Sequence, residues 1–203
     1  MNLSLTIDAL GTSELDALTL TVPPGRIVCL SGASGSGKSR LLRAIADLDP
    51  HEGEVRLGDA PAHSMRADEW RRRVMLVPAE SRWWHDTVGE HCGPLREADL
   101  AALGFEPEVH QWPVSRLSSG EKQRLALYRA LSLDPDALLL DEPTANLDAA
   151  TRERVEQWLV QRIHEQQLPT LWVAHDRSQI ARVGDAHYSI NGRHLEEVPH
   201  GTD

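Results

Sequence analysis

The sequence predicts an α/β domain with a mainly parallel core sheet, an N-terminal antiparallel β edge and a small inserted helical subdomain. Three observations carry this. The apolar run Ile27-Val28-Cys29-Leu30 ends in a glycine-rich loop and gives way to helical spacing at Leu41, Leu42, Ile45 and Leu48, which is the order strand, loop, helix. Further on, short apolar runs alternate with helical patterns, as parallel sheets require. Before them, apolar and polar residues alternate at Leu3, Leu5, Ile7 and again at Leu18, Leu20, Val22, the period of half-exposed strands.

The elements follow in order. The two alternating stretches form an antiparallel pair ahead of the turn Pro23-Pro24-Gly25. Val55 and Leu57 mark another strand and Val74 to Val77 a buried one, whereas Glu80 to Pro113 is irregular and reads as the mostly helical insertion. A helix from about Glu121 to Leu133, a buried strand Ala137 to Leu140, a helix carrying Val155, Leu159 and Ile163, and a strand Thr170 to Val173 come next. A strand near His187 to Ile190 meets the turn signal Asn191-Gly192, which predicts a closing hairpin. The expected division is a single domain over 1–203, with a core of 1–79 and 134–203 and a helical subdomain over about 80–133.

Composition narrows the function classes. The 203 residues suffice for one well-buried core and not for two independent ones. Their apolar runs are too short for a membrane-spanning helix. Met1 to Asp8 alternate rather than showing a basic stretch before an apolar one, so a cytoplasmic location is expected. Of the two cysteines, Cys29 falls in a buried strand, which argues against a structural disulfide. A net charge of −10 opposes non-specific attraction to nucleic acid. The Arg71-Arg72-Arg73 cluster follows Asp68-Glu69-Trp70 and reads as a solvated helix end.

Gly32-Ala33-Ser34-Gly35-Ser36-Gly37-Lys38-Ser39, continued by Arg40, matches the P-loop pattern in its required place between strand and helix. Glycines let backbone N–H groups turn around a phosphate, and the helix N-terminus adds positive dipole. Lys38 reaches the outer phosphates and the Ser39 hydroxyl ligates Mg²⁺. A buried strand delivers Asp141 and Glu142 at its C-terminal end, where open α/β sheets hold ligands. Asp141 suits the Mg²⁺ shell, and Glu142 suits orienting or deprotonating the attacking water. Strand-end carboxylates facing solvent are the alternative.

Leu117-Ser118-Ser119-Gly120-Glu121-Lys122-Gln123 resembles the signature motif of the ATP-binding cassette (ABC) family and precedes the Asp141-Glu142 strand at the family's spacing. Taken alone, Ser118 with Glu121 three residues on is also a capping box. Asp148 in Ala145-Asn146-Leu147-Asp148 resembles the D-loop, and His175 in Val173-Ala174-His175-Asp176 resembles the switch histidine. The resemblance covers nearly the whole chain. It implies ATP hydrolysis with Mg²⁺, a γ-phosphate contact from His175, and the signature residues Ser118, Ser119, Gly120 and Glu121 acting in trans on a second copy's ATP. With one P-loop and one signature, a homodimer is expected. A separate membrane permease is the expected partner, with the chain peripheral to the inner face of the plasma membrane. Compact size and the continuations Glu121-Lys122-Gln123-Arg124 and Leu171 to Asp176 are similar to small bacterial ATP-binding proteins of the iron-export type.

The pattern departs from the family in three places. Ala79 stands where a glutamine usually follows the Val74 to Val77 strand, and Glu80 offers a carboxylate as a metal ligand in its place. No aromatic residue stands near Ala9, Leu10 and Gly11 to stack on adenine, which leaves Leu10 to pack on the base and the choice of ATP over GTP to the family resemblance. Ser119 replaces the second signature glycine. Trp83 and Trp84 follow where the family contacts its membrane partner, and tryptophan is enriched at interface hot spots. Packing within the insertion is the other reading of that pair. Two further functions remain open: a soluble ABC ATPase acting on nucleic acid or ribosomes, and a nucleotide-gated binding module with little turnover.

Overall fold

The computed structural model describes residues 3–199. The N-terminal alternation becomes β1 (Leu5–Gly11) and β2 (Leu18–Val22), paired antiparallel, and β1 also pairs with β4 (Glu52–Leu57), itself bridged to the short β5 (Ala60–Pro61). The second sheet has β3 (Ile27–Gly32) at its centre. On one side stand β8 (Thr170–Val173), β7 (Ala137–Asp141) and the edge strand β6 (Val74–Val77), all parallel. On the other, β9 (Ala186–Asn191) runs parallel to β3 and carries the antiparallel β10 (His194–Val198).

A parallel sheet covered on both faces needs apolar residues at consecutive positions. In β3, Ile27 and Cys29 join Leu138, Leu140 and Trp172 on one face, while Val28 and Leu30 join Leu139, Leu171 and Val173 on the other. The first face is covered by α4 (Ser119–Ser132), α5 (Ala149–Gln166) and α6 (Arg177–Val183). The second packs on α1 (Lys38–Ile45) and the antiparallel sheet. Each fully buried Leu, Ile or Val here is worth about 1.5–3 kcal/mol. Fully buried Trp70 in α2 (Ala67–Arg73) ties that helix to the end of α1 by donating from Nε1 to the Ile45 carbonyl at 2.9 Å. Both cysteines are free, and burial pushes the Cys29 thiol up to about 12.

Several details differ from the sequence expectation. Leu48 lies beyond α1, because Asp47 takes a left-handed φ of 55° and the amides of Asp47 and Leu48 turn back to the carbonyls of Ala44 and Arg43, capping the helix. Met75 and Leu76 are only half-buried, since β6 is an edge. Asn191 pairs with His194, so the hairpin loop is Gly192-Arg193, one residue later than the Asn-Gly signal. Between Glu80 and Pro113 the one α-helix is the short α3 (Glu97–Ala102), joined by 3₁₀ turns, and the main helix between β6 and β7 is α4. Arg71 and Arg73 pair with Asp47 and Asp136, in line with a solvated helix end.

Candidate active site

The phosphate loop is shaped by close backbone approach. A Cβ on Gly32, whose φ is 143°, would lie 2.8 Å from the Ile190 carbonyl oxygen and 2.9 Å from Ser36 Oγ, so only glycine fits. Gly37, with φ 94°, caps α1 in the left-handed region and starts the helix beneath the loop. Lys38 is buried and donates from Nζ to the carbonyls of Gly32 at 3.0 Å and Ala33 at 2.9 Å, which ties its ammonium to the loop's own backbone. Burial lowers its pKa, opposed by the negative charges of Glu142 and Asp141. The Ser36 hydroxyl is buried and has no hydrogen-bond partner among the described residues, which suits a loop built to receive a polar group.

The last residue of β7 brings Asp141 beside Ser39. Burial raises the Asp141 pKa. The Ser39 hydrogen bond and the charges of Lys38 and His175 work against that rise, and Glu142 adds to it. Glu142 turns sharply off the strand with a φ of 49°, a conformation unfavourable to a residue with a Cβ. Its Oε1 lies 2.7 Å from His175 Nε2, and because a carboxylate can only accept, the imidazole proton sits on Nε2. His175 follows β8 by two residues, and Ala174 between them anchors the chain by donating to the Leu30 carbonyl at 3.0 Å.

Lys38, Ser39, Glu142 and His175 line one cavity of about 370 Å³ together with Ser34, Gly35 and Gly37 of the loop. Glu14, Arg40, Arg43 and Asp49 complete its lining, and of these only Arg40 was singled out from the sequence. Arg40 pairs with Glu14 at 3.2 Å, and Arg43 with Asp49 at 2.8 Å. Leu10 does not reach this cavity. A bulge at Ala9, with φ 48°, reverses the alternation of β1 and turns Leu10 into the core beside Leu5 and Ile7, fully buried. Glu80 lies exposed after β6 and does not line the cavity either.

Ser118 and Glu121 form the expected capping box. The Ser118 Oγ accepts from the Glu121 amide at 3.3 Å, and Glu121 Oε2 accepts from the Ser118 amide at 2.8 Å, which holds the Glu121 pKa down. Ser118 and Ser119 are exposed, and none of Ser118, Ser119, Gly120 and Glu121 lines the chain's own phosphate cavity. Asp148 caps α5 by accepting from the Thr151 amide at 3.1 Å.

Two further polar groups were given no role of their own in the sequence. Gln123, buried in α4, donates from Nε2 to the Glu142 carbonyl at 3.0 Å and accepts from the Asn146 amide at 3.3 Å. Buried Glu156 in α5 accepts from Thr144 Oγ1 at 3.3 Å, Gln179 Nε2 at 2.7 Å and Arg182 Nη2 at 2.8 Å. The signal for Glu156 was its spacing, which sets an acidic residue on the same stripe as Leu159 and Ile163.

Trp83 and Trp84 differ in exposure. Trp83 is half-buried against the core and Trp84 is 66% exposed, with the Arg129 guanidinium 4.7 Å and 5.2 Å from their ring centroids. Buried His91 accepts at Nε2 from the amides of Trp84 at 2.9 Å and His85 at 3.0 Å. Its Nδ1 lies 2.9 Å from the Thr87 carbonyl, to which it must donate, so the ring is neutral.

A family model described as ABC transporter matches residues 15–145. Among curated proteins, the chain is 38% identical over 187 residues to the aliphatic sulfonates import ATP-binding protein SsuB 3 of Pseudomonas savastanoi pv. phaseolicola, covering 87% of this chain and 67% of that one. It is 40% identical over 179 residues to the aliphatic sulfonates import ATP-binding protein SsuB of Escherichia coli K12, covering 84% and 69%. These relatives are named for import, not for the iron export suggested by compact size. Among solved structures, a bacterial Atm1-family ABC exporter with ATP bound superposes with a TM-score of 0.83 at 26% identity. That match covers 98% of this chain and spans 39% of the exporter chain.

Proposed function

From a chain that belongs to the ABC transporter family and forms its ATP-binding, ATP-hydrolysing subunit, we propose the following division of labour among its residues. Lys38 and the loop amides of residues 32–39 hold the β- and γ-phosphates, with Arg40 alongside. Ser39 and Asp141 offer a hydroxyl and a carboxylate oxygen, hard ligands that fit Mg²⁺. Among the described residues no three His, Cys, Asp or Glu side chains form a metal cage, so the rest of such a shell falls to phosphate and water. Bound there, Mg²⁺ would neutralise phosphate charge.

Glu142 orients the attacking water and takes its proton, and His175 holds the Glu142 carboxylate while reaching the γ-phosphate. The single observation that carries this reading is the 2.7 Å contact between Glu142 Oε1 and His175 Nε2 in the wall of the Lys38 cavity. The position of Ser118 to Glu121 outside that cavity favours a second copy of the chain as their target. In such a homodimer each capped α4 N-terminus faces the partner copy's phosphates, with Asp148 near the seam.

Among the described residues no helix is long and apolar enough to cross a membrane. The relatives named as import ATP-binding proteins support a membrane permease as the partner we assign, met at the inner face of the plasma membrane and docked on Trp84, with uptake as its direction. The experiment is steady-state Mg²⁺-ATPase activity of the purified chain beside Glu142→Gln, with ATP-dependent dimer formation recorded for both. Activity lost by about 10²–10⁴-fold in the variant, with its ATP-bound dimer retained, is the expected result. Equal turnover in the two proteins would remove Glu142 from the mechanism. An absence of turnover in both, with or without membranes carrying the permease, would favour the gated binding module.

A further inference from the structure

The contact between the N-terminal part of α4 and the strand-end carboxylate runs through one side chain. Gln123 lies on the second turn of the helix that Ser118 caps, is 8% exposed, and uses both ends of its amide on the segment after β7. Its Nε2 donates to the Glu142 carbonyl, which also accepts from the Ala145 amide at 3.2 Å, and its Oε1 accepts from the Asn146 amide. The other side of the same segment is fixed independently, since Thr144 Oγ1 is held by Glu156 of α5 and Gln179 of α6. Packing adds to the closeness: a Cβ built on Gly120 would meet Leu147 Cδ2 at 3.4 Å.

Residue 142 is the member of this segment that needs such support. Its φ of 49° is unfavourable for glutamate and persists only where the surroundings over-determine it. Resting on the hydrolytic role assigned to Glu142 above, we propose that Gln123 is a positioning residue for hydrolysis. By holding the Glu142 backbone it aims the carboxylate at His175, and it makes that aim depend on where the first turns of α4 sit. Misplacement of a catalytic group by about 1 Å can lower a rate as much as 100-fold, so a small displacement of α4 suffices to turn hydrolysis down. Neither bond of Gln123 reaches the loop after β3, so nucleotide binding by that loop does not depend on them.

The test compares wild type, Gln123→Met and Gln123→Glu as full chains. Met keeps the volume and loses both bonds, whereas Glu keeps an acceptor for Asn146 and loses the donor to the Glu142 carbonyl. The expected result is a fall in kcat of about tenfold in both, with KM and the affinity for a fluorescent ATP analogue within twofold of wild type. The ¹⁵N shifts of the His175 ring, assigned with His175→Gln, should move in both variants toward their position in Glu142→Gln. Unchanged kcat or unchanged His175 shifts would overturn the proposal. So would a loss of kcat matched by losses of affinity and thermal stability, which is the signature of a merely structural glutamine. If wild type and Glu142→Gln hydrolyse ATP alike, the role of Glu142 fails, and the His175 shifts still decide whether Gln123 sets the Glu142–His175 contact.

Discussion

Arg182 in α6 reaches across to Glu156 in α5 with Nη2 2.8 Å and Nε 3.2 Å from the same carboxylate oxygen, while the other oxygen accepts from Gln179 and Thr144. A buried carboxylate is tolerated only when so fully bonded. Glu156→Ala leaves four donor groups, on three residues, without their acceptor and is expected to lower unfolding free energy by about 2 kcal/mol in urea titration. Glu156→Gln keeps one acceptor oxygen and should lose roughly half as much. An alanine variant within about 0.5 kcal/mol of wild type would show the network to be dispensable.

Asp141 gives stability a pH dependence of definite sign. Burial holds its pKa above the ordinary aspartate value, so the fold favours the protonated carboxyl. The stabilisation is fully present below the ordinary carboxylate range and is lost as pH rises through the raised value. Without nucleotide or divalent cation, Asp141→Asn should therefore melt higher than wild type at neutral pH, by about 2 °C. Melting curves recorded down to pH 4 should show the gain disappearing. The same variant should lose Mg²⁺-dependent ATP binding, and a gain independent of pH would contradict the buried-carboxylate account.

The two tryptophans should part company on mutation. Trp83→Ala removes a ring packed on the core and is expected to cost about 1–3 kcal/mol. Trp84→Ala exposes nothing new, should leave the melting temperature within about 1 °C, and should weaken co-purification with the membrane partner. Retained partner binding in Trp84→Ala would end its assignment as a docking residue.

His91 makes the tryptophan loop sensitive to acid. Burial lowers its pKa below 6.5. The neutral ring's contribution is thus fully present above that value and is lost as pH falls through the lowered one. Protonation puts a hydrogen on Nε2, which can then no longer accept from the amides of Trp84 and His85. In an NMR titration the His91 ring is expected to titrate below 6.5, with the two amides shifting at the same midpoint. Amides that ignore the His91 titration would sever the link.

Strands β3, β7 and β8 were legible because continuous apolar runs with short lengths admit few other readings, and the phosphate loop because its glycines are fixed by backbone approach. Leu10 was misread because a single left-handed residue, Ala9, inverts the parity on which alternation depends. The short α6 carries only Ile180 and Val183 as buried residues, too few for a periodic signal. Gln123 acts through partners 19 and 23 positions away and Glu156 through partners 12 to 26 away, on separate elements; the stripe that marks Glu156 as buried does not name those partners. The Glu142–His175 contact spans 33 positions, and recognising the two motifs named both residues without pairing them.

Because β6 and β7 are hydrogen-bonded neighbours running parallel, everything between them is topologically one enlarged crossover, with α4 as its helix and the rest as an expanded loop. Chain can be lengthened, trimmed or exchanged there without altering the order or direction of any strand. The segment that carries Trp83 and Trp84 is in that sense replaceable, grafted into a sheet whose strand order it never has to disturb.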